Sequence, residues 1–497
     1  MGTLSTMRHA LVLIASVALA EVLVVPEDYP TIQMAIDSAE VRDTILLQTG
    51  EHRESVTLLP KGLTISGPFL LSGDTSEIRT CVWRSFSNGD DTLRCLNADF
   101  AAGPEPSFRV VGIRFAAGMA HNNEEGGAIR SFNHDFTIEH CIFDSCRAGY
   151  GGAIATRGSR GLISNCSFNY CGANRLAAVL RLVNSQVRVN SCTIYHSLAH
   201  HEVEEIPEQI AMRNSVLRIR DSKVYECGLG HNPNGTYLVY VSKPPDTLEI
   251  VNCEFRLNHF TNMIHYGGNY LNYLRLDSCH FHDNNLTGGI YLQGEPDSLT
   301  TLIAVGNVFE SFSPVPMRGM HGIFGFDNSP SVVTITRNLI HLNSGGHTSF
   351  CTIFDSSRVP RTITNNYIIE NSNHSVSYPP SGQVLLRDNV STDLQYNVFA
   401  RNQGYAVFQG NTPDPTYARH NYWNHATGPY DSVGNIGGQG DTVEWRIQYQ
   451  PWEEDTSFFS AAPEPREPVE IPATFIGNAY PNPFNSTVTI EFVLLHL

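Results

Sequence analysis

The 497-residue sequence is poor in lysine, with only Lys61, Lys223 and Lys243 among its 32 basic residues. Its formal net charge is −17, and arginine is not gathered into a basic stripe or tail. Nucleic-acid binding needs clustered positive charge that neutralises phosphates, so the composition argues against it. Few lysines also means few candidates for the base that a polyuronate lyase uses to remove a proton from a sugar ring.

Other patterns are missing as well. No apolar run after residue 20 is long enough to span a membrane as a helix. The sequence has no Cys-x-x-Cys pair, which argues against a structural zinc site. Where the sequence repeats, the units lack apolar runs long enough for an amphipathic helix, so helical repeats are not expected.

The first 20 residues have the pattern of a secretory signal. Arg8 and His9 precede an apolar run over residues 10–20, which ends in the small-x-small sequence Ala18-Leu19-Ala20. A membrane anchor is the alternative, but the run is short for a membrane span. We therefore expect a cleaved signal peptide (1–20) and an exported protein.

A repeated unit dominates the rest of the chain. Each unit has a short alternating strand, a polar or small corner residue, and a second short strand, as in Leu274–Asn284. The corner positions, spaced 24 to 31 residues apart, are Cys141, Cys166, Cys192, Ser222, Cys253, Cys279, Asn307, Asn338, Asn366, Asn397 and Asn421. Self-similarity at this period predicts a solenoid.

Stacking explains the choice of corner residue. In a β-solenoid, equal positions of successive coils lie one strand spacing apart, about 4.8 Å. Asparagine can donate to and accept from its copy in the next coil, and cysteine is small enough for the same slot. The chain uses mainly cysteine in its first half and asparagine in its second.

The repeats resemble the right-handed parallel β-helix, or pectin-lyase-like, family over about residues 21–452. The Phe-x-x-Asn steps, such as Phe281 to Asn284, and the Gly-Gly-Ala-Ile steps at 126–129 and 151–154 also resemble repeats of bacterial polymorphic outer-membrane proteins. The resemblance implies an all-β, right-handed parallel β-helix of roughly 11–13 coils.

The expected domains follow from this pattern. Residues 21–75 form an N-terminal cap and first coil, in which Ile32, Ala35, Ile36 and Ala39 have helical spacing. This segment resembles the cap of pectinesterase-like β-helices. Residues 76–452 carry the repeats, and the aromatic residues near their end are expected to close the second open end. Residues 453–472 are an acidic, proline-rich linker.

Residues 473–497 contain the sequence Tyr480-Pro481-Asn482-Pro483-Phe484. This motif resembles the start of the C-terminal sorting domain of the type IX secretion system, which here is truncated. The resemblance implies contact with the type IX secretion machinery and a location that is secreted, extracellular or at the outer-membrane surface, reached through the periplasm.

The eleven cysteines allow two interpretations. Most occupy inward corner positions, which favours buried free thiols. Disulfides are the alternative in an exported protein, with Cys81–Cys95 and Cys141–Cys146 as the first candidate pairs.

Candidate ligand-binding residues occur on the strand that carries the substrate groove in enzymes of the resembled family. If its apolar residues point inward, alternation sends a row of arginines and aromatics outward. This row consists of Arg130, Arg181, Arg213, Tyr240, His265 and Tyr291, with Phe324 as an extension. Arginine pairs with carboxylate or sulfate, and flat rings stack on sugars. A solvated face without a ligand, or a register slip that turns the row inward, are the alternatives.

Catalysis has less support. The first strands carry no pair of aspartates for a glycosidase, and the pectinesterase motif is absent. Arg181 or Arg213 could replace lysine as a lyase base. The cluster at 200–205, with His200 and His201, is expected to be a solvated turn rather than a metal site.

We therefore expect a monomeric protein that binds extracellular polysaccharide or acts as an adhesin. A lyase or hydrolase of acidic glycans and a structural cell-envelope spacer are the alternatives. No cofactor is expected, except that a lyase would hold calcium.

Overall fold

The computed structural model describes residues 20–86, 94–99, 107–121, 123–199, 208–228, 237–241, 246–266, 271–293, 301–312, 321–327, 332–345, 350–355, 361–373, 382–386, 392–409 and 415–459. Three predicted features lie outside these residues: the signal peptide up to residue 19, the histidine cluster at 200–205, and the sorting segment at 473–497. Most of the linker, from residue 460 onward, lies outside them too.

The chain is a parallel β-solenoid, consistent with the right-handed β-helix predicted from the repeats. Three long parallel sheets contain 15, 14 and 13 strands, and they include strands of the cap and the closing coil as well as the regular coils. We number these sheets in the order in which the chain enters them within one coil.

The 15 strands of sheet 1, in spatial order, are Val56–Thr57, Leu96–Asp99, Ile129–Phe132, Ile154–Arg157, Leu180–Val183, Glu208–Arg213, Tyr237–Val241, His259–Tyr266, Asn285–Gln293, His321–Asp327, Phe350–Asp355, Gly382–Leu386, Tyr405–Gln409, Gly440–Val443 and Pro429–Tyr430. The 14 strands of sheet 2 are Val22–Val25, Thr44–Leu47, Thr64–Ser66, Phe108–Val111, Phe136–Glu139, Arg160–Ser164, Gln186–Asn190, Val216–Arg220, Asp246–Val251, Leu271–Asp277, Thr301–Val305, Val332–Thr336, Arg361–Thr364 and Asp393–Gln395.

The 13 strands of sheet 3 are Gly50–Arg53, Cys81–Arg84, Arg114–Ala116, Ile142–Asp144, Ser167–Asn169, Thr193–Tyr195, Lys223–Tyr225, Glu254–Arg256, His280–His282, Val308–Glu310, Leu339–His341, Tyr367–Ile369 and Val398–Ala400. Two small parallel sheets consist of Arg147–Tyr150, Gly172–Leu176 and Leu198–Ala199, and of Ser344–Gly345 and Ser372–Asn373. The helices are Ile32–Ser38, Phe69–Ser72 and Ser76–Thr80. None of the helices among the described residues is long and apolar enough to cross a membrane.

The corner between sheets 2 and 3 is held by the predicted stack. Asn338 is fully buried, and its Nδ2 donates to the Oδ1 of Asn366 in the next coil at 3.0 Å. Its Oδ1 accepts the backbone N–H of Asn307 in the preceding coil at 3.0 Å. The residue before the corner, Arg337, has a φ of 58°, which turns the chain sharply into sheet 3. Each corner thereby satisfies polar groups of its neighbours.

The two other corners of the coil carry similar stacks. After sheet 3, the backbone N–H of Asn343 donates to Asn371 Oδ1 at 3.1 Å. Between sheets 1 and 2, the backbone N–H of Ser185 donates to Ser215 Oγ at 3.1 Å. Three polar columns therefore fix the path of the coil. The corner spacing had located one of them, and the Phe-x-x-Asn steps contain residues of a second, such as Asn284.

The interior is filled by apolar side chains, and sheet 3 contributes stacked rings. Phe281 lies 4.6 Å from Phe255 and 4.8 Å from Phe309 between ring centroids, and all three are buried. Near the end of the solenoid, Trp423 stacks on Phe399 at 4.9 Å. This arrangement agrees with the expectation that aromatic residues close the second end.

The helix predicted in the cap is present as Ile32–Ser38, with Ile32, Ala35 and Ile36 buried. Thr31 Oγ1 accepts the backbone N–H of Met34 at its N-terminus. Burial of this apolar face covers the first coil, whose side chains would otherwise meet water.

The ten cysteines whose side chains the structure describes are buried free thiols, so the first interpretation is confirmed for them. The two candidate disulfides, Cys81–Cys95 and Cys141–Cys146, are not formed. The thiols stack in corner columns instead. For example, the backbone N–H of Cys141 donates to Cys166 Sγ at 3.4 Å.

Candidate ligand-binding face

The outer side of sheet 1 carries the predicted row. Ile129 and Leu180 are buried, and Arg130 and Arg181, one residue later, point away from the core as alternation predicts. Strand register places one column in the order Asn97, Arg130, Ala155, Arg181, Ala211, Tyr240, His265 and Tyr291. Five of the six predicted residues thus share one column, with alanines between the arginines. The side chains of His265 and Tyr291 lie outside the described part of the structure.

Arg213 belongs to the neighbouring column. It pairs with Val183, which in turn pairs with Arg157, two positions further along their strands than Ala155 and Arg181. Arg213 is exposed on the same face. The face is therefore two columns wide rather than a single row.

Phe324 does not extend the row, and that expectation was wrong. Register places Gly325 beside Tyr291, whereas Phe324 pairs with Ile290 and is fully buried. A shift of one residue in the strand assignment is enough to exchange an outward for an inward side chain.

Two of the arginines converge on one carboxylate. Glu125 Oε1 accepts a hydrogen bond from Arg157 Nη2 at 3.1 Å and another from Arg181 Nη1. The side chains of Glu125 and Arg181 are only 15% and 19% exposed. These contacts join residues from three successive turns of the chain, so the cluster depends on the solenoid itself.

Aromatic rings support the guanidinium groups. Arg181 lies 4.3 Å from the ring centroid of Tyr150, and Arg175 donates to the Tyr150 hydroxyl at 3.4 Å. Arg130 and Arg157 both approach the ring of Phe132, at 4.2 and 4.7 Å. Stacking on rings holds the planar guanidinium groups in fixed orientations.

Further carboxylates complete this cluster. Asp99 pairs with Arg130, and Glu124 pairs with Arg94. With Arg157, Arg175 and Arg181, the cluster contains five guanidinium groups and three carboxylates. A local excess of positive charge therefore exists on a chain whose overall charge is strongly negative.

Burial is the largest influence on the two most enclosed arginines. It lowers the pKa of Arg181, while the nearby Glu125 opposes this effect. Burial likewise lowers the pKa of Arg94, opposed by Glu124. The carboxylates thus offset the cost of removing these cations from water.

Sequence reasoning missed Glu125, Arg157 and Tyr150. Glu125 and Tyr150 each come directly before a Gly-Gly pair, and a β-bridge places them side by side. Gly126 has a φ of +71°, and a Cβ there would collide with the carbonyl oxygen of Ile129. The residue before each Gly-Gly step is therefore the signal that could have located this part of the cluster.

The aromatic end of the face begins at Tyr240. Its ring lies 6.4 Å from that of Tyr237, in a nearly parallel orientation. Burial, with Tyr240 and Glu208 nearby, raises the pKa of Tyr237 to about 12. The phenol of Tyr237 therefore stays neutral and acts as packing for Tyr240 rather than as an acid or base near neutral pH.

A cleft of about 610 Å³ at the N-terminal cap is lined in part by Glu51, His52 and Glu54. Glu54 accepts the backbone N–H groups of Ile32 and Gln33, so it anchors the cap helix. Across the residues whose positions are described, no group of three or more His, Cys, Asp or Glu side chains could hold a metal ion.

The sequence matches no protein-family model and no curated protein. Ordered guanidinium groups beside rings suit a ligand that combines acidic groups with flat sugar faces.

Proposed function

We propose that this is an exported or cell-surface protein of the pectin-lyase-like type that binds acidic polysaccharide on the outer face of sheet 1. The observation that carries the proposal is the pair Arg157 and Arg181, which both donate to Glu125, with the ring of Tyr150 against Arg181. Guanidinium groups fixed in this way lose little conformational freedom when they bind an anionic group. Export by the type IX secretion machinery and a monomeric state belong to the same proposal.

The solenoid suits a polymeric ligand. Equal positions recur at about 4.8 Å from coil to coil, so the face offers a repeated series of contacts along its axis. Arginines at one end and Tyr240 further along would contact successive units of one glycan chain. Contacts with several units raise the overall affinity even where each one is weak.

Binding should be measured by calorimetry with sulfated dextran, polygalacturonate and unmodified dextran. We expect the protein to bind the two acidic polymers and not the neutral one. Replacing Arg181 by alanine should weaken binding about 10-fold, since a charge-assisted hydrogen bond contributes about 1.5–3 kcal/mol. Arg188→Ala is the matched control, because Arg188 is exposed on sheet 2. Equal binding of all three polymers, or equal effects of both variants, would refute the proposal.

A lyase acting on acidic glycans is the second candidate. Its support is that Arg181 has a pKa lowered by burial and lies against a carboxylate, whereas a purely adhesive face needs no such convergence. Following the release of unsaturated sugar ends in the same titrations separates the two. Release that stops in the Arg181→Ala variant would establish the lyase. If neither binding nor release occurs, the role of a structural spacer in the cell envelope is favoured.

A further inference from the structure

Glu125 occupies the position that an acidic ligand group would need. Its Oε1 lies between the guanidinium groups of Arg157 and Arg181, and both donate hydrogen bonds to it. The carboxylate is mostly enclosed, although the turn that carries it is at the surface. The pair of arginines therefore already holds one anion, and that anion comes from the protein.

The backbone of Glu125 is fixed independently of its side chain. Arg94 Nε donates to the carbonyl oxygens of Glu125 and Gly126 at 3.2 and 3.3 Å. The backbone N–H of Gly126 donates to the carbonyl oxygen of Tyr150 at 2.9 Å. The carboxylate can consequently leave the arginines by rotation about its side-chain bonds, without any change in the fold.

A ligand must offset the free energy that is lost when the Glu125 carboxylate leaves Arg157 and Arg181. Arg181 is only 19% exposed, and an enclosed guanidinium group without a counterion is unfavourable, so Glu125 will leave only when another anion takes its place. A neutral sugar cannot do this, whereas a sulfate or carboxylate can accept the same hydrogen bonds. The exchange selects for acidic ligands, because a ligand that binds the arginines more weakly than the Glu125 carboxylate does cannot displace it.

Building on the proposed function, we propose that Glu125 is an internal stand-in for the acidic group of the polysaccharide. The ligand's sulfate or carboxylate displaces it from Arg157 and Arg181, and Glu125 turns towards solvent. The arginine pair is then the anion-binding subsite of the sheet 1 face, with the ring of Tyr150 supporting Arg181.

Glu125→Gln tests this proposal by calorimetry with sulfated dextran and polygalacturonate. We expect affinity for at least one of these polymers to rise about 10-fold, which corresponds to about 1.4 kcal/mol. Glu139→Gln is the matched control, because it removes an equal charge from the contact with Arg109 on sheet 2, away from the proposed binding face. Its effect should stay below about 3-fold, since it alters the long-range charge as Glu125→Gln does but leaves the arginines of sheet 1 unchanged. The polymer that gains more identifies the ligand group as sulfate or carboxylate.

Glu125→Asp is a second variant for the case that glutamine disturbs the local fold. Its shorter side chain keeps the charge but cannot reach both arginines equally well, so affinity should again rise. Unchanged or lower affinity in the two Glu125 variants, or an equal rise in Glu139→Gln, would overturn the proposal that Glu125 stands in for the ligand. If the wild-type protein still binds acidic polymers and loses affinity in Arg181→Ala, the proposed function survives that result. If it binds neither polymer, the proposed function and the stand-in both fall.

Discussion

Single asparagines hold the corners because each amide serves two coils. Asn338 Nδ2 donates to the carbonyl oxygens of Ala304 and Thr336, both at 3.0 Å, as well as to Asn366. Its Oδ1 accepts from Asn307 in the other direction. Buried backbone groups that the turn leaves without a strand partner are satisfied in this way.

Replacing Asn338 by alanine should lower the free energy of unfolding by about 3 kcal/mol, since each buried polar group left unsatisfied costs about 1–3 kcal/mol. Asn338→Ser should cost less. Ser222 occupies the same corner in an earlier coil and accepts the backbone N–H of Cys192 at 3.0 Å. Denaturant unfolding of the two variants checks this order, and an equal loss for both would contradict the role assigned to the amide.

The buried thiols should be unreactive towards thiol reagents in the folded protein. Burial raises the pKa of Cys81 and of Cys227 to about 12, so hardly any reactive thiolate exists at pH 8. We expect the ten described thiols to react with a disulfide reagent only as fast as the protein unfolds. Rapid modification of several thiols under native conditions would show that the corner columns are open to solvent.

At this scale the sequence predicted the corner cysteines and asparagines well, because stacking places the same chemical demand on each coil. It predicted neither the serine column, as at Ser185 and Ser215, nor the contact of Arg181 with Glu125. The serines recur at the same steps of 26 and 30 residues as the corner residues, but the column changes to Asp246 in the next coil, so no single residue type marks it. Glu125 lies 56 residues before Arg181, in a turn whose path the strand pattern does not define.

Among the elements, the outer face of sheet 3 carries an alternating series of charges across neighbouring strands. Glu254 contacts Lys223 at 2.9 Å and His282 at 3.4 Å. Glu310 contacts His280 at 2.9 Å, and Glu370 contacts His341 at 2.7 Å. Asp283 adds a second carboxylate on His282, Arg256 lies one strand before it, and Arg401 pairs with Glu370. Ion pairs between coils thereby tie the strands of sheet 3 together.

These contacts set a pH range for stability. The hydrogen bond to His282 lowers the pKa of Glu254 from 4.5 to about 2, so this contribution is complete above pH 4.5 and is lost as the pH falls towards 2. Burial opposes protonation of His282, but Glu254 and Asp283 outweigh it and raise its pKa above 6.5. That contribution is complete below pH 6.5 and is lost as the pH rises through the raised value. The two are present together between about pH 4.5 and 6.5.

His282→Gln should therefore weaken the protein at pH 5.5 by about 1 kcal/mol and have a smaller effect at pH 8.5, where a smaller fraction of the imidazole is charged. His121→Gln is the control, because His121 is exposed at the surface. The measurement is the free energy of unfolding of the wild-type protein and both variants at pH 5.5 and pH 8.5. The same loss at pH 5.5 and 8.5 would mean that packing, and not charge, makes His282 important.

Strand alternation was enough to predict sheets 1, 2 and 3, because β-branched residues at every second position have only one way to reach the core. The column to which Arg213 belongs was harder to predict from the sequence. It depends on the number of residues that connect sheet 3 of one coil to sheet 1 of the next, and these connecting segments vary in length. The small sheet that begins with Arg147–Tyr150 depends on the same segments and was not foreseen.

For the whole molecule, the period of the corners led directly to a solenoid, since one coil cannot bury its own apolar face. Composition and charge limited the functions but did not select a ligand. A ligand site arises where the stacking brings together residues from distant positions, as at Arg157 and Arg181, and such meetings follow from the coils rather than from local sequence.

The central claim is that equal positions of successive coils lie directly above one another. Its most direct test is the unfolding transition after removal of one entire coil, residues 338–365, which span the 28-residue step from Asn338 to Asn366. Asn366 then takes the place of Asn338 against Asn307, and we expect a β-rich protein, about 4.8 Å shorter along its axis, that still unfolds cooperatively. Removal of half that length, residues 338–351, breaks every column and should abolish cooperative unfolding. Equal damage from the two deletions would contradict the stacked arrangement.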